Sequence, residues 1–216
     1  REWVYGHIVV DEAQELSEMA WRAIQRRAVR KSMTIVGDLQ QSSHPAGARD
    51  WNETLSWAGE KMALFTLNVT YRITEETVQS AIEQLVKSGG NPPELVSIRS
   101  GSPTIHQSLS ENEVVDFLTA TMSGKAGRAC VIIPDSLLSQ WQEQFQDQSP
   151  DLGIGPAAID SRIAVLSAKN TKGLEFDVVF VVNPDQIGCQ GVRGSDIFVA
   201  CTRATHQLYL LEVTAD

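Results

Sequence analysis

The sequence predicts an α/β protein built on parallel sheets with helices packed against them. Short unbroken apolar runs recur, such as Ile8-Val9-Val10, Val131-Ile132-Ile133 and Val178-Val179-Phe180-Val181-Val182. Amphipathic stretches separate them, and polar or acidic residues follow where the runs end. A strand buried on both faces reads as a continuous apolar run, and alternation of strand with helix marks crossover-connected parallel strands. At 216 residues the chain can hold one or two domains. The elements fall into two α/β groups, residues 1–70 and 71–216, joined near 68–75.

In chain order, Val4 to Val10 reads as a buried strand that ends on Asp11-Glu12. Glu15 to Lys31 reads as a helix with Leu16, Met19, Ala20, Ala23 and Ile24 on one stripe and Arg22, Arg26, Arg27 and Arg30 opposite. Strand Met33–Val36 closes on Gly37-Asp38; a loop over 42–47, a helix over 51–59 and a strand over 64–67 follow. Thr74 caps a helix to Lys87, with Glu75 and Glu76 suited to its first turn. Ser88-Gly89-Gly90-Asn91-Pro92-Pro93 breaks the chain. The second group then predicts strands at 95–98, 104–107, 129–133, 163–167, 178–182 and 207–212, with helices at 111–122, 136–146 and near 193–203. No fixed-period repeat or low-complexity tract is visible.

Composition narrows the function classes. No run of about eighteen uncharged apolar residues occurs, so no membrane-spanning helix is expected. The net charge is −9, which argues against a simple basic nucleic-acid binder. The deficit is uneven: residues 1–108 carry 11 Lys/Arg and 13 Asp/Glu, residues 109–216 carry 7 and 14. Cys130, Cys189 and Cys201 lack the spacing of a metal site or a disulfide framework, which fits a reducing, cytoplasmic setting. The chain opens Arg1-Glu2-Trp3 and enters a strand almost at once, so it is expected to be part of a longer protein.

Five short segments carry chemistry. In Val9-Val10-Asp11-Glu12-Ala13-Gln14, two acids end a buried strand, where open α/β sheets bind ligands; in a nucleotide hydrolase such acids hold Mg²⁺ and accept a proton from water, whereas the bland reading is two solvated carboxylates. Ile35-Val36-Gly37-Asp38-Leu39-Gln40-Gln41 repeats the pattern on the next strand; Asp38 suits a turn cap and Gln41 could orient a water or touch a terminal phosphate. Arg72 in Leu67-Asn68-Val69-Thr70-Tyr71-Arg72 and Arg203 in Val199-Ala200-Cys201-Thr202-Arg203 suit either ion pairs or arginine fingers. Ala168-Lys169-Asn170-Thr171-Lys172-Gly173-Leu174-Glu175 offers donors and a carboxylate to phosphates and a ribose, or is an ordinary turn.

Taken in this order, the five segments resemble the motifs of superfamily I helicases of the UvrD/Rep type, over nearly the whole chain. The resemblance implies two RecA-like parallel sheets with flanking helices, here part of a first motor domain (1–70) and a whole second one (71–216), clamping ATP and stepping along DNA. It implies Asp11 at Mg²⁺, Glu12 as general base and Mg²⁺ neighbour, and Gln41, Arg72 and Arg203 at the γ-phosphate. Glu175 would meet the nucleotide sugar, with Lys172 and Gly173 in the same loop. His44, Thr70 and Lys169 fall where the family touches nucleic acid. The cofactors implied are ATP and Mg²⁺.

Departures from the family pattern matter as much. No G-x-x-x-x-G-K-[ST] loop occurs in the chain, so it should not hydrolyse ATP by itself. Ser42-Ser43-His44 stands where the family has Ser-Ile-Tyr, and Lys169 where it has His. Only 99 residues separate Arg72 from Lys172, with no room for the family's large insertion. That shortening, with Pro45-Ala46-Gly47-Ala48-Arg49-Asp50-Trp51, looks like the HelD group, whose members free stalled RNA polymerase. A DNA motor and a polymerase remodeller both stay open, the acidic second half favouring a protein partner. The arginine face of the first helix reads as solvated, Trp51, Trp57 and Trp141 as packing residues and His7 as structural.

Overall fold

The computed structural model describes residues 3–42, 44–145, 148–188 and 195–214. The chain divides into two compact units, Arg1–Leu67 and Asn68–Asp216. Cys189, Ser43 and the start of the helix expected near 193 lie outside the described residues.

In the first unit, β1 (Ile8–Val10) pairs in parallel with β2 (Met33–Ile35), Val9 opposite Thr34. The crossover is α1 (Glu18–Arg27), started by the Ser17 side chain accepting from the Ala20 amide at 3.3 Å. The apolar stripe of α1 is phased differently from the sequence expectation. Trp21 is its buried centre and Ile24 packs beside it, whereas Met19 is 72% exposed. The bulk of the indole decides which face turns inward, because it buries the most apolar area. Val10, Ala13 and Leu55 complete the small core, with Trp51 and Trp57 packed against it. The helix expected over 51–59 is a single turn, α2 (Trp51–Thr54), capped by Asp50, followed by 3₁₀ turns over Ser56–Lys61 with Gly59 at φ 57°. Residues 64–67 form no strand; Phe65 and Leu67 stand 84% and 91% exposed. No described strand lies beside them, and an isolated extended segment has no ladder to hold it as a strand. His7 is structural, its ring nitrogens 2.7 Å from Ser32 Oγ and 3.0 Å from Thr34 Oγ1.

The second unit opens with a two-strand parallel pair, β3 (Val69–Thr70) and β4 (Val96–Ser97), bridged by α3 (Glu75–Lys87). Thr74 caps α3 as the sequence predicts, its Oγ1 accepting from the Thr77 amide. The remaining elements are β5 (Ile105–Ser110), α4 (Val114–Met122), β6 (Ala129–Ile133), α5 (Leu138–Phe145), β7 (Leu152–Ile154), β8 (Ile163–Ser167), β9 (Phe176–Val182), α6 (Ser195–Cys201) and β10 (Ala204–Thr214). Six of these strands make one sheet in the order β5-β10-β9-β6-β8-β7, every pairing parallel. This RecA-like arrangement of a parallel sheet with flanking helices is the α/β class read from the sequence.

Strand alternation sorts the core into two layers. Ala129, Val131, Ile133, Val165, Phe180, Val182 and Leu211 pack under α4 and α5, around Leu118, Trp141 and Phe145. Cys130, Ile132, Ala164, Leu166, Val179, Val181 and Leu210 pack under α3 and α6, around Ala81, Leu85 and Phe198. β6 and β8 have the residue bounds expected from sequence, and β7 is a strand the sequence pattern missed. Its three residues are interrupted by Gly153, where a Cβ would run into the Ser161 side chain and Ala158, so the glycine that admits this close approach also erases the strand signal.

Candidate functional site

In the first unit the candidate residues converge at the carboxyl end of β1 and the turn after β2. Asp11 is exposed, and its Oδ1 accepts from the Glu12 amide at 2.9 Å. Glu12 stands in the left-handed region at φ 51°, ψ 38°, a conformation that costs a non-glycine residue roughly 1–2 kcal/mol. Its Oε2 accepts from Gln14 Nε2 at 2.6 Å. Gln14 is 1% exposed, and its Oε1 accepts from the Asp38 amide at 3.0 Å. Asp38 caps the turn, as its bland reading foresaw, taking the Gln40 amide at 2.9 Å on Oδ1. Its Oδ2 takes Gln41 Nε2 at 2.8 Å. Glu12, Gln14, Asp38 and Gln41 are thus one hydrogen-bonded chain.

Glycines make room for it. A Cβ on Gly37 would stand 2.7 Å from Gln14 Oε1 and 2.8 Å from the Trp51 ring. One on Gly47 would collide with the Gln14 carbonyl, which already accepts from Ser42 Oγ at 3.2 Å and the Ala48 amide at 2.7 Å. His44 is exposed; its amide donates to Glu15 Oε2 at 3.0 Å and its Nδ1 accepts from the Ala46 amide at 3.1 Å. Among the described residues no cluster of three or more His, Cys, Asp or Glu side chains forms a metal cage. Two adjacent carboxylates at a strand end fit Mg²⁺ of the kind whose shell is completed by waters and substrate phosphates.

In the second unit, Arg72, Glu175 and Arg203 meet at the amino-terminal edge of the six-stranded sheet. Glu175 immediately precedes β9 and Arg203 immediately precedes β10; the Phe176 amide donates to the Arg203 carbonyl at 3.0 Å. Arg72 Nη1 donates to Glu175 Oε1 at 2.6 Å across 103 residues of sequence. That bond, then the Glu175 charge, raises the Arg72 guanidinium above its already high value. Arg99 Nη1 donates to the Arg72 carbonyl at 2.7 Å and fixes the backbone there.

Arg203 is only 8% exposed. Its Nε donates to the Val199 carbonyl at 3.1 Å and its Nη1 to the Leu174 carbonyl at 3.2 Å. Both arginines therefore grip residues 174–175, one on the main chain and one on the carboxylate. Gly173 sits at φ 70° with open space around it, so conformation rather than crowding selects glycine there.

The segment from Lys169 to Glu175 is not one site. Lys169 follows the carboxyl end of β8 and its Nζ lies 3.0 Å from Asp135 Oδ2, just past the carboxyl end of β6. Asp135 raises the Lys169 ammonium above its ordinary range, first through that hydrogen bond. Lys172 ends the 3₁₀ turn Ala168–Thr171, pinned by the buried Thr171 Oγ1 donating to the Ala168 carbonyl at 2.7 Å. Thr70 lies in β3, and its Oγ1 accepts from the Arg72 amide at 3.4 Å. Sequence reasoning assigned nothing to Gln14, Arg99 or Asp135. Gln14 closes the segment Asp11-Glu12-Ala13-Gln14, and a polar residue destined for burial beside two acids is its one signal in the sequence.

Part of the chain is similar to known proteins. Residues 162–211, which include Lys169, Lys172, Gly173, Glu175 and Arg203, match the family model of the UvrD-like helicase C-terminal domain. The fold is similar to that of the C-terminal domain of a "possible DNA helicase" from Lactobacillus plantarum WCFS1, at 20% identity and TM-score 0.50 over 68% of this chain and 89% of that one. Similarity also extends to the PRRSV helicase and to arterivirus nonstructural protein 10 (helicase), at 16% and 17% identity and TM-score 0.48 each. Those matches cover 94% and 96% of this chain but 34% and 39% of theirs. A search of curated proteins finds no match. Residues 162–211 are therefore similar to a UvrD-like helicase C-terminal domain.

Proposed function

We propose that this chain is the helicase-type part of an ATP-driven motor that moves on DNA, with Mg²⁺ as cofactor. The observation that carries the reading is the meeting of Arg72 and Arg203 on residues 174–175, inside a stretch that matches a helicase domain family. Two cations from distant parts of the sequence held at one sheet edge suit a developing phosphoryl charge. The Arg72–Glu175 pair is exposed, with side chains 64% and 43% accessible, so an incoming ribose or phosphate could exchange with it at low cost. In the first unit, Asp11 would hold Mg²⁺, which polarises the phosphates when bound, and Glu12 would take the proton of the attacking water. Gln41 would orient that water. The phosphate-cradling loop must come from elsewhere in the motor, because the 216 residues contain none.

The test is Glu12→Gln in the full-length protein. Hydrolysis should fall by far more than tenfold while nucleotide binding stays; a loss under tenfold would remove the general-base role. Single-stranded DNA added to the native protein should raise its ATPase strongly. An ATPase indifferent to DNA but raised by RNA polymerase would replace the DNA motor with the remodeller reading.

A further inference from the structure

We propose that Gln14 is a positioning residue that couples Glu12 to Gln41, so that the proton acceptor and the water-orienting amide are set as one unit. The inference rests on the assignment of Glu12 as the base. The Gln14 side chain carries an amide NH₂ and a carbonyl oxygen, and each is used on a different side: Nε2 donates to the Glu12 carboxylate at 2.6 Å and Oε1 accepts from the Asp38 amide at 3.0 Å. Asp38 then carries the link onward, its Oδ2 accepting from Gln41 Nε2 at 2.8 Å.

Three features show that the coupling is built. Gln14 is 1% exposed, and a buried amide that loses its partners is penalised by its desolvation. Its backbone is fixed as well, the carbonyl accepting from both Ser42 Oγ and the Ala48 amide. Gly37 makes the room the Gln14 amide occupies, since a Cβ there would stand 2.7 Å from Gln14 Oε1. The hydrogen bond to Glu12 also opposes relaxation of a backbone held at φ 51°. A glutamate here would lack the amide donor, and a methionine would lack both groups.

Four measurements on the full-length protein test this: ATP turnover, nucleotide affinity by displacement of a fluorescent nucleotide, thermal melting, and hydrogen exchange at the Asp38 amide. Gln14→Met should lower kcat by roughly tenfold to a hundredfold, the equivalent of one buried hydrogen bond, with nucleotide Kd unchanged within about threefold. It should also speed exchange at the Asp38 amide. Gln14→Glu, assayed at about pH 8, keeps an acceptor for that amide; it should lower kcat similarly yet leave exchange slow. Should Gln14→Met melt below the assay temperature, Gln14→Glu carries the test alone. In a Glu12→Gln background, Gln14→Met should lower residual turnover by less than about twofold, because the two act through one group. Full additivity in that background, or native turnover in both Gln14 variants, would overturn the coupling. Failure of the base assignment is separately visible, as substantial turnover by Glu12→Gln alone.

Discussion

Replacing Arg203 with Met keeps the aliphatic stem and removes every donor of the guanidinium. Nε and Nη1 donate to the carbonyls of Val199 and Leu174. Val199 O retains a second donor in Thr202 Oγ1 at 3.1 Å, so it is not orphaned. Leu174 lies only half-buried, so water can reach its carbonyl in part. Two bonds from a charged donor are worth about 1.5–3 kcal/mol each when intact. With this partial compensation the net loss should be about 2–4 kcal/mol. For a unit of about 150 residues that corresponds to a melting shift of roughly 5–15 °C, read by far-UV circular dichroism on the 216-residue chain. In the full-length protein, turnover should fall by on the order of a thousandfold as for an arginine finger. A melting shift under about 2 °C would refute the idea that Arg203 clasps residues 174–175. A large shift with native turnover would make it a structural clasp and take it out of the site.

Two further outcomes follow from groups outside the site. The Glu113 carboxylate accepts the Ser110 amide and Oγ, each at 2.9 Å, and these bonds hold it below the ordinary carboxylate range; a depressed pKa stabilises the fold above the ordinary Glu value of about 4.3 and loses that contribution as pH falls further, so urea midpoints of native and Glu113→Gln proteins should differ near pH 7 and converge in acid, and a constant difference would refute the capping box. Cys130 and Cys201 are fully buried, which pushes both thiols up, Cys201 to about 12, so in a Cys189→Ser background a disulfide reagent should label neither thiol until denaturant is added, and stoichiometric labelling of the native chain would contradict their burial.

Much of the second unit was legible because its strands are buried on both faces. Ala129–Ile133 is an uninterrupted apolar run and Ile163–Ser167 is apolar up to Leu166, and such runs have few competing readings. Where a strand depends on its neighbours the pattern fails: Leu64–Leu67 has the composition of a strand but no partner among the described residues, and β7 has partners without the composition. Site residues divide in the same way. Asp11 and Glu12 stand out as candidates because acids at the end of a buried strand are informative, whereas Arg72, Glu175 and Arg203 stand out only through the resemblance of their segments to a motif set. The roles of Gln14, Asp135 and Arg99 are pairwise, and no spacing rule announces a bond across 24, 34 or 27 residues.

The loop between β8 and β9 shows what pairing adds to motif. Both strands run parallel with β6 between them, so the carboxyl end of β8 and the amino end of β9 lie on opposite edges of the sheet. A five-residue strand spans about 16 Å, and residues 168–175 must cover that return with a single 3₁₀ turn. Lys169 at its start is held by Asp135, and Leu174 and Glu175 at its end are held by Arg203 and Arg72. The anchors differ in kind: the Asp135 and Arg72 ion pairs are exposed and weak, while the Arg203 clasp is buried. A ligand that displaces Glu175 from Arg72 therefore works against the weaker of the two holds at that edge, and the Arg203 clasp keeps the loop end in place while the carboxylate turns. That division of labour gives Arg203 its larger expected effect on stability and leaves Arg72 the more exchangeable of the two arginines.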